Sequence, residues 1–120
     1  MNTEVTRILE DNGVSYRIIE LDGKAISTDD VLEKGGVPRE EICKTIIIKG
    51  YYALFLKGDQ RIDFSKVKEF IGEKASMASV EEVKTITGKE PGAVCPLLLD
   101  IPIIVDPEVF KTEMINFGSG

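Results

Sequence analysis

The sequence predicts a chain of the α+β type, a mixed β-sheet with short helices packed against it. Three observations carry that expectation. Ile46, Ile47 and Ile48 are successive β-branched residues closed by Gly50, and an apolar run without alternation marks a strand covered on both faces. Ile103-Ile104-Val105 repeats the pattern late in the chain. Helix caps and glycine stops recur at short intervals between and around these runs, so strands and helices are interspersed and the sheet should be mixed.

Taken in order, Thr3 can cap a first helix that carries Val5, Ile8 and Leu9 on one side and stops at Gly13. Val14, Tyr16 and Ile18 then alternate with Ser15 and Arg17, the period of a half-buried strand through about Leu21. Ser27 or Thr28 starts a second helix, because the acidic pair Asp29-Asp30 suits its positive end, and Gly35-Gly36 stops it. Pro38 opens a further helical turn that delivers the chain to Lys44 and the isoleucine strand. A second strand covers residues 51–57, and Gly58-Asp59 turns the chain towards Arg61-Ile62. Asp63 caps a helix with the stripe Val67, Phe70 and Ile71, stopped by Gly72. Residues 74–77 are expected as a short strand. Ser79 and Glu82 match a capping box for a helix carrying Val80, Val83 and Ile86, ending at Gly88. Pro91, Gly92 and Pro96 exclude an α-helix and a regular central strand over residues 90–96. Asp106-Pro107-Glu108 begins a short helical turn after the second apolar strand, and Met114-Ile115-Asn116-Phe117 is expected as a last strand.

Composition bounds the function. A chain of 120 residues fits one domain with one core, and 42% hydrophobic with 30% charged residues is ordinary for a globular protein. No apolar stretch approaches the ~20 residues of a membrane helix, and residues 1–4 do not read as the start of a secretory signal. Two cysteines, Cys43 and Cys95, are too few for a disulfide framework, so reduced thiols in a cytoplasm are expected. The chain has no histidine. Ser-His-Asp and Cys-His catalysis and histidine-bearing zinc sites are thereby excluded. The net charge of −6 argues against general nucleic-acid coating, yet residues 44–74 hold seven basic and four acidic side chains. That local excess permits contact with a phosphate backbone and is equally the pattern of a lysine-decorated edge strand and helix.

Few residues offer chemistry. Lys44 stands where the isoleucine strand begins, at the rim of the core, where burial would tune its ammonium. On spacing alone it reads as a solvated lysine flanking a strand. The segment Gly92-Ala93-Val94-Cys95-Pro96 offers backbone N–H groups that can converge on an oxygen, and by pattern alone reads as a structural loop. Cys95 lacks any neighbour in sequence that would lower its pKa and reads as a small loop filler; Cys43 reads as a core residue. Asp29, Asp30, Asp63 and Glu82 sit at helix starts, where the dipole accounts for them. Asp100 and Asp106 flank the second apolar strand, with a turn or cap role the safer reading. No metal-ligand spacing, P-loop or dinucleotide fingerprint is present.

Together these segments resemble a known family. They are the strand led by Ile42-Cys43-Lys44-Thr45-Ile46-Ile47, the hairpin, the helix after Ile62-Asp63-Phe64, and the helix ending at Thr87-Gly88. The loop Gly92-Ala93-Val94-Cys95-Pro96-Leu97, the strand Pro102-Ile103-Ile104-Val105-Asp106 and the end Ile115-Asn116-Phe117-Gly118-Ser119-Gly120 complete the set. The order is similar to the YbaK family of aminoacyl-tRNA deacylases, relatives of the editing insertion domain of prolyl-tRNA synthetase. The resemblance covers nearly the whole chain, and the Lys-Thr strand with the Gly-x-x-x-Pro loop is its most specific part.

The resemblance implies one YbaK-like editing domain over residues 1–120, built on a curved mixed sheet or partial barrel. It implies a trans-editing hydrolase that frees tRNA from a wrongly attached small amino acid, of the Ala- or Cys-tRNA(Pro) type, without cofactor or metal. Lys44 would be the catalytic residue. Thr45, Gly92, Ala93, Val94, Cys95, Pro96, Gly118 and Ser119 would line the substrate site, with the loop cradling the aminoacyl end. The implied partners are the aminoacylated 3′ end of tRNA and prolyl-tRNA synthetase, with no membrane, in the cytoplasm. Lys44 and the loop are expected to face each other across one hollow. Relatives often carry glycine where Ala93 stands and serine or a similar small residue where Cys95 stands. They also continue past the final Gly-Ser/Gly segment with a strand and a closing helix that brings an acidic residue to the pocket, and the chain is expected to lack them. Loss of that segment would favour a second function, a non-catalytic YbaK-like module that binds tRNA or an aminoacyl group.

Overall fold

The computed structural model describes residues 3–16, 18, 38–49 and 52–118. Its centre is a hairpin of strand β1 (Cys43–Ile48) and strand β2 (Tyr52–Lys57), antiparallel and in unbroken register from Cys43↔Lys57 to Ile48↔Tyr52. Strand β3 (Ile103–Val105) runs parallel to β2, so the sheet is open, mixed and ordered β1-β2-β3. Helix α1 (Thr3–Asp11), helix α2 (Phe64–Ile71) and helix α3 (Val80–Thr87) complete the regular structure, with 3-10 turns at Arg39–Glu41, Pro91–Ala93, Pro96–Leu98 and Pro107–Lys111.

Both faces of β1 are covered, as its uninterrupted isoleucines require. On one face Ile47 and Ala53 pack with Val83 of α3 and Val94. Nearer the start of β1, on the same face, Cys43 and Phe55 pack with Val109 and Phe117; the Phe55 and Phe117 rings meet edge-on at 6.2 Å. On the other face Ile48, Leu54 and Leu56 pack with Ala75 and with Ile62, Phe64, Val67 and Ile71 of α2 and its lead-in. Ile48 is fully buried.

The helix signals act as read. Asp63 accepts from the N–H groups of Ser65 and Lys66 and Gly72 ends α2 at φ +82°. Ser79 and Glu82 exchange both bonds of a capping box at the start of α3, which Gly88 ends at φ +73°. Only glycine enters that left-handed region freely, so each residue is a stop. Pro38 precedes the 3-10 turn Arg39–Glu41, and Asp106 caps Pro107–Lys111 by accepting from the Glu108 N–H.

Several expected strands are shorter or absent. Val14, Tyr16 and Ile18 are exposed and unassigned. The Val14 N–H donates to the Leu9 carbonyl and the Tyr16 hydroxyl to Glu10 Oε1 at 2.6 Å, so this stretch folds back on the end of α1. The remainder of that strand and the helix expected from Ser27 or Thr28 lie outside the described residues. The turn at Gly58-Asp59 forms, but Arg61-Ile62 lead into α2 without a strand. From residues 74–77 only Met77 bridges, to Ile48, and from residues 114–117 only Asn116, to Ile42. Strand β3 forms but is not covered on both sides: Ile103 and Val105 are 38% and 40% exposed. β3 is the end strand of the described sheet, and an apolar run does not distinguish an edge from a centre.

Replacing Ile48 by Ala removes side-chain volume from a site with no solvent, and should lower unfolding free energy by about 2–5 kcal/mol in urea titrations. Ser79→Ala, which removes one cap, should cost about 1 kcal/mol.

Candidate functional site

Lys44 lies half-buried near the start of β1, opposite Leu56. Its ammonium donates to the Gln60 carbonyl at 2.6 Å. The turn that presents this carbonyl is tied three ways. The Gln60 N–H donates to the Lys57 carbonyl at 3.1 Å, the Lys57 N–H donates to Gln60 Oε1 at 2.8 Å, and the Gly58 N–H donates to the Ile42 carbonyl at 2.8 Å. Arg39 adds an ion pair to Asp59 at 2.7 Å. Burial pushes the Lys44 ammonium below the ordinary lysine range, and the Asp59 carboxylate partly opposes this. An ammonium has three protons to give; the described residues take one.

Beside the Arg39–Asp59 ion pair, a hollow is lined by Arg39, Glu40, Lys57, Asp59, Glu108, Lys111 and Thr112. The Lys57 ammonium donates there to the Glu40 carbonyl and the Thr112 hydroxyl. Gln60, Arg39 and Asp59 had no signal in sequence beyond a turn after Gly58, since the contact depends on a main-chain carbonyl that any residue carries.

The segment of residues 92–96 is held between the 3-10 turns Pro91–Ala93 and Pro96–Leu98, each opened by its proline. Val94, Cys95 and Pro96 are buried, Ala93 is half-buried and Gly92 is exposed. Ala93 spends its N–H on the Glu90 carbonyl at 2.8 Å, whereas the N–H groups of Gly92, Val94 and Cys95 have no backbone partner among the described residues. A small, mostly apolar hollow lies here, lined by Thr87, Lys89, Ala93, Val94, Cys95, Leu98 and Leu99. Burial raises the Cys95 thiol above its ordinary pKa, with the Leu97 and Leu98 N–H groups opposing, and burial raises Cys43 as well, opposed by Lys57. Neither cysteine is prepared as a thiolate nucleophile. Among the described residues no three His, Cys, Asp or Glu side chains are gathered for a metal ion.

Strand alternation decides which of these groups share a surface. Successive side chains on β1 point to opposite faces, and the register through Lys44↔Leu56 and Thr45↔Phe55 is regular. Lys44 therefore shares the face of Ile46 and Ile48, the side covered by α2. Thr45 shares the face of Cys43 and Ile47, where Val94 and Phe117 pack and Gly118 follows. The expectation that Lys44 and the loop face each other across one hollow is not met: Lys44 is on one side of the sheet, and Thr45, the loop and Gly118 are gathered on the other. Neither hollow described above contains both Lys44 and a loop residue. Ser119 lies outside the described residues.

Comparison with known proteins places this arrangement. The model of the aminoacyl-tRNA editing domain family matches residues 23–120. The crystal structure of the hypothetical protein APE2540 superposes with a TM-score of 0.84 at 27% identity, covering 98% of this chain and 82% of that one. A structure described as a candidate trans-editing enzyme for prolyl tRNA synthetase gives a TM-score of 0.72 at 23% identity, covering 91% and 75%. A scaffold from computational epitope grafting gives 0.70 at 20%, with the same coverage. The last two likenesses are of fold. No helix among the described residues is long and apolar enough to cross a membrane.

The environments of two lysines make opposite demands. Lys44 should titrate below the ordinary lysine value of about 10.4 because burial disfavours its charge, and Lys111 above it because Glu108, 2.6 Å away, favours charge. As pH rises, Lys44 should lose its proton first; the Cε carbon shifts of the two side chains in an NMR titration would show the order.

Proposed function

The chain belongs to the aminoacyl-tRNA editing domain family, and on that footing we propose that it is a trans-acting deacylase, freeing tRNA from a wrongly attached small amino acid. The observation that carries the proposal is the family match itself, because it takes in Lys44, Thr45 and the whole of residues 92–96. The substrate class we propose is alanyl- or cysteinyl-tRNA of the proline acceptor. The structural neighbour described as a candidate trans-editing enzyme for prolyl tRNA synthetase supports that choice, and with it a working association with that synthetase. Such a substrate is made where tRNA is charged, which fits a cytoplasmic protein.

The reaction is ester hydrolysis. Water adds to the carbonyl carbon, the oxyanion collapses, the bond to the ribose oxygen breaks, and that oxygen takes a proton as the amino acid leaves as its carboxylate. Preorganised N–H groups are the usual stabilisers of such an oxyanion, and those of residues 92, 94 and 95 have no backbone partner among the described residues. Lys44 supplies a desolvated cation on the other face, suited to a phosphate or ribose oxygen of the 3′ end. The tRNA end then bends around the outer edge of β1, with the amino acid on the side of Thr45, Gly118 and the loop. Apolar sieving in such a site discriminates by about 1–3 kcal/mol per methylene, so small amino acids are the natural class.

A second reading has its own support. The separation of Lys44 from the loop by the thickness of the sheet favours a module of this fold that holds an aminoacylated tRNA end without hydrolysing it. A panel of mischarged tRNAs distinguishes the two. Release of alanine or cysteine that falls on the order of 10²-fold in a folded Lys44→Ala variant supports the deacylase. Tight tRNA binding with no release supports the module, and full activity of Lys44→Ala removes Lys44 from the catalytic assignment.

A further inference from the structure

Among the described residues the outer edge of β1 is paired at both ends and open in the middle. The Ile42 carbonyl faces β2, where it accepts from Gly58 at 2.8 Å, and by strand parity Lys44, Ile46 and Ile48 turn their backbone groups the same way. Odd-numbered residues turn theirs outward. The Cys43 N–H donates to the Asn116 carbonyl at 2.8 Å, the Ile47 carbonyl accepts from the Ala78 N–H at 3.0 Å, and the Lys49 N–H donates to the Ser76 carbonyl at 2.8 Å. Between these pairings the Cys43 carbonyl, both backbone groups of Thr45 and the Ile47 N–H have no backbone partner among the described residues. The Thr45 hydroxyl likewise has none there, and the residue is half-buried.

We propose that this opening receives the aminoacyl group itself, with Thr45 pairing to it as one strand residue pairs with another. The inference rests on the editing reading above and specifies how that substrate is held. An aminoacyl ester carries one α-ammonium and one carbonyl oxygen on the same residue. In a hydrogen-bonded antiparallel pair, one residue exchanges both its N–H and its C=O with the residue opposite. The Thr45 carbonyl therefore accepts from the α-ammonium, a charge-assisted bond, and the Thr45 N–H donates to the ester carbonyl oxygen. The length of the opening favours this occupant over a peptide strand. From Cys43 to Ile47 is roughly 13 Å at ~3.3 Å per residue, and the segments at Asn116 and Ser76 already occupy its two ends. Paired residues hold their side chains on one face, with Cβ atoms ~5 Å apart. The substrate's side chain then lies beside Thr45, on the face of Val94 and Phe117, where extra bulk meets a packed surface.

The test uses the whole chain with a 3′-alanylamino-3′-deoxyadenosine probe, whose amide replaces the labile ester. In the free protein the Thr45 amide should exchange with solvent faster than the amides of Lys44 and Ile46, which face β2. Adding the probe should slow Thr45 and move its 15N–1H resonance. Thr45→Pro deletes that N–H at an outward-facing edge position, where proline is tolerated, and should weaken probe binding about tenfold. Thr45→Val keeps the N–H, so it should weaken probe binding less than Thr45→Pro does. A Thr45 amide already protected in the free protein, or probe binding that leaves it unmoved, overturns the inference, and the exchange measurement stands even if Thr45→Pro fails to fold. Binding of an extended peptide at these amides in place of the probe overturns the occupant. Deacylation of mischarged tRNA at the parental rate by folded Thr45→Pro overturns this inference alone, whereas absence of both probe binding and deacylation in the parent chain overturns the editing reading with it.

Discussion

The structure depends on how β1 is held. One edge pairs residue by residue with β2, and both faces are packed. Among the described residues the other edge is pinned only near its ends, by Asn116 and by residues 76–78. A strand fixed on three sides cannot twist or slip without exposing isoleucine, because a slip of one residue would exchange its two faces. What it presents at the fourth side is therefore preorganised. Donors that need no rearrangement are the kind that stabilise developing charge most effectively.

That constraint also explains the division of the candidate residues. Lys44 and Thr45 are neighbours in sequence, yet the pleat sends them to opposite faces. A substrate that touches both must cross the strand edge between them. Lys44 is further restrained by the Gln60 carbonyl, and the turn carrying that carbonyl is tied to β1 through Gly58 and to the Arg39–Glu41 turn through Asp59. The cation is thus positioned by main-chain geometry, with the hydrophobic sheet below it lowering its pKa. The loop of residues 92–96 is positioned differently, by Val94 anchoring in the same cluster as Ile47.

Much of this was legible in the sequence, and the exceptions have physical reasons. Helix ends were readable because caps are local chemistry: Asp63, Ser79 with Glu82, Gly72 and Gly88 act within four residues of themselves. The β1 strand was readable because three isoleucines in a row leave no polar face. Val14, Tyr16 and Ile18 alternate properly but remain exposed, and alternation specifies a strand only beside a partner edge, which they do not meet among the described residues. The residues of the site were named from the resemblance, and the side of the sheet on which each one stands was not. Parity along β1 separates Lys44 from Thr45 in any strand, but which face each loop joins depends on distant contacts such as Val94 with Ile47 and Phe117 with Phe55. The Gln60 clamp was invisible because a carbonyl has no sequence signature.

The central claim is that the outer edge of β1 is where the aminoacyl end is recognised. A crystal structure with a hydrolysis-resistant aminoacyl adenosine tests it most directly. The account predicts the α-nitrogen and the carbonyl oxygen within about 2.7–3.2 Å of the Thr45 carbonyl and N–H respectively, with the ligand's side chain on the face of Val94. A ligand seated elsewhere, with the edge at Thr45 left to solvent, would contradict it.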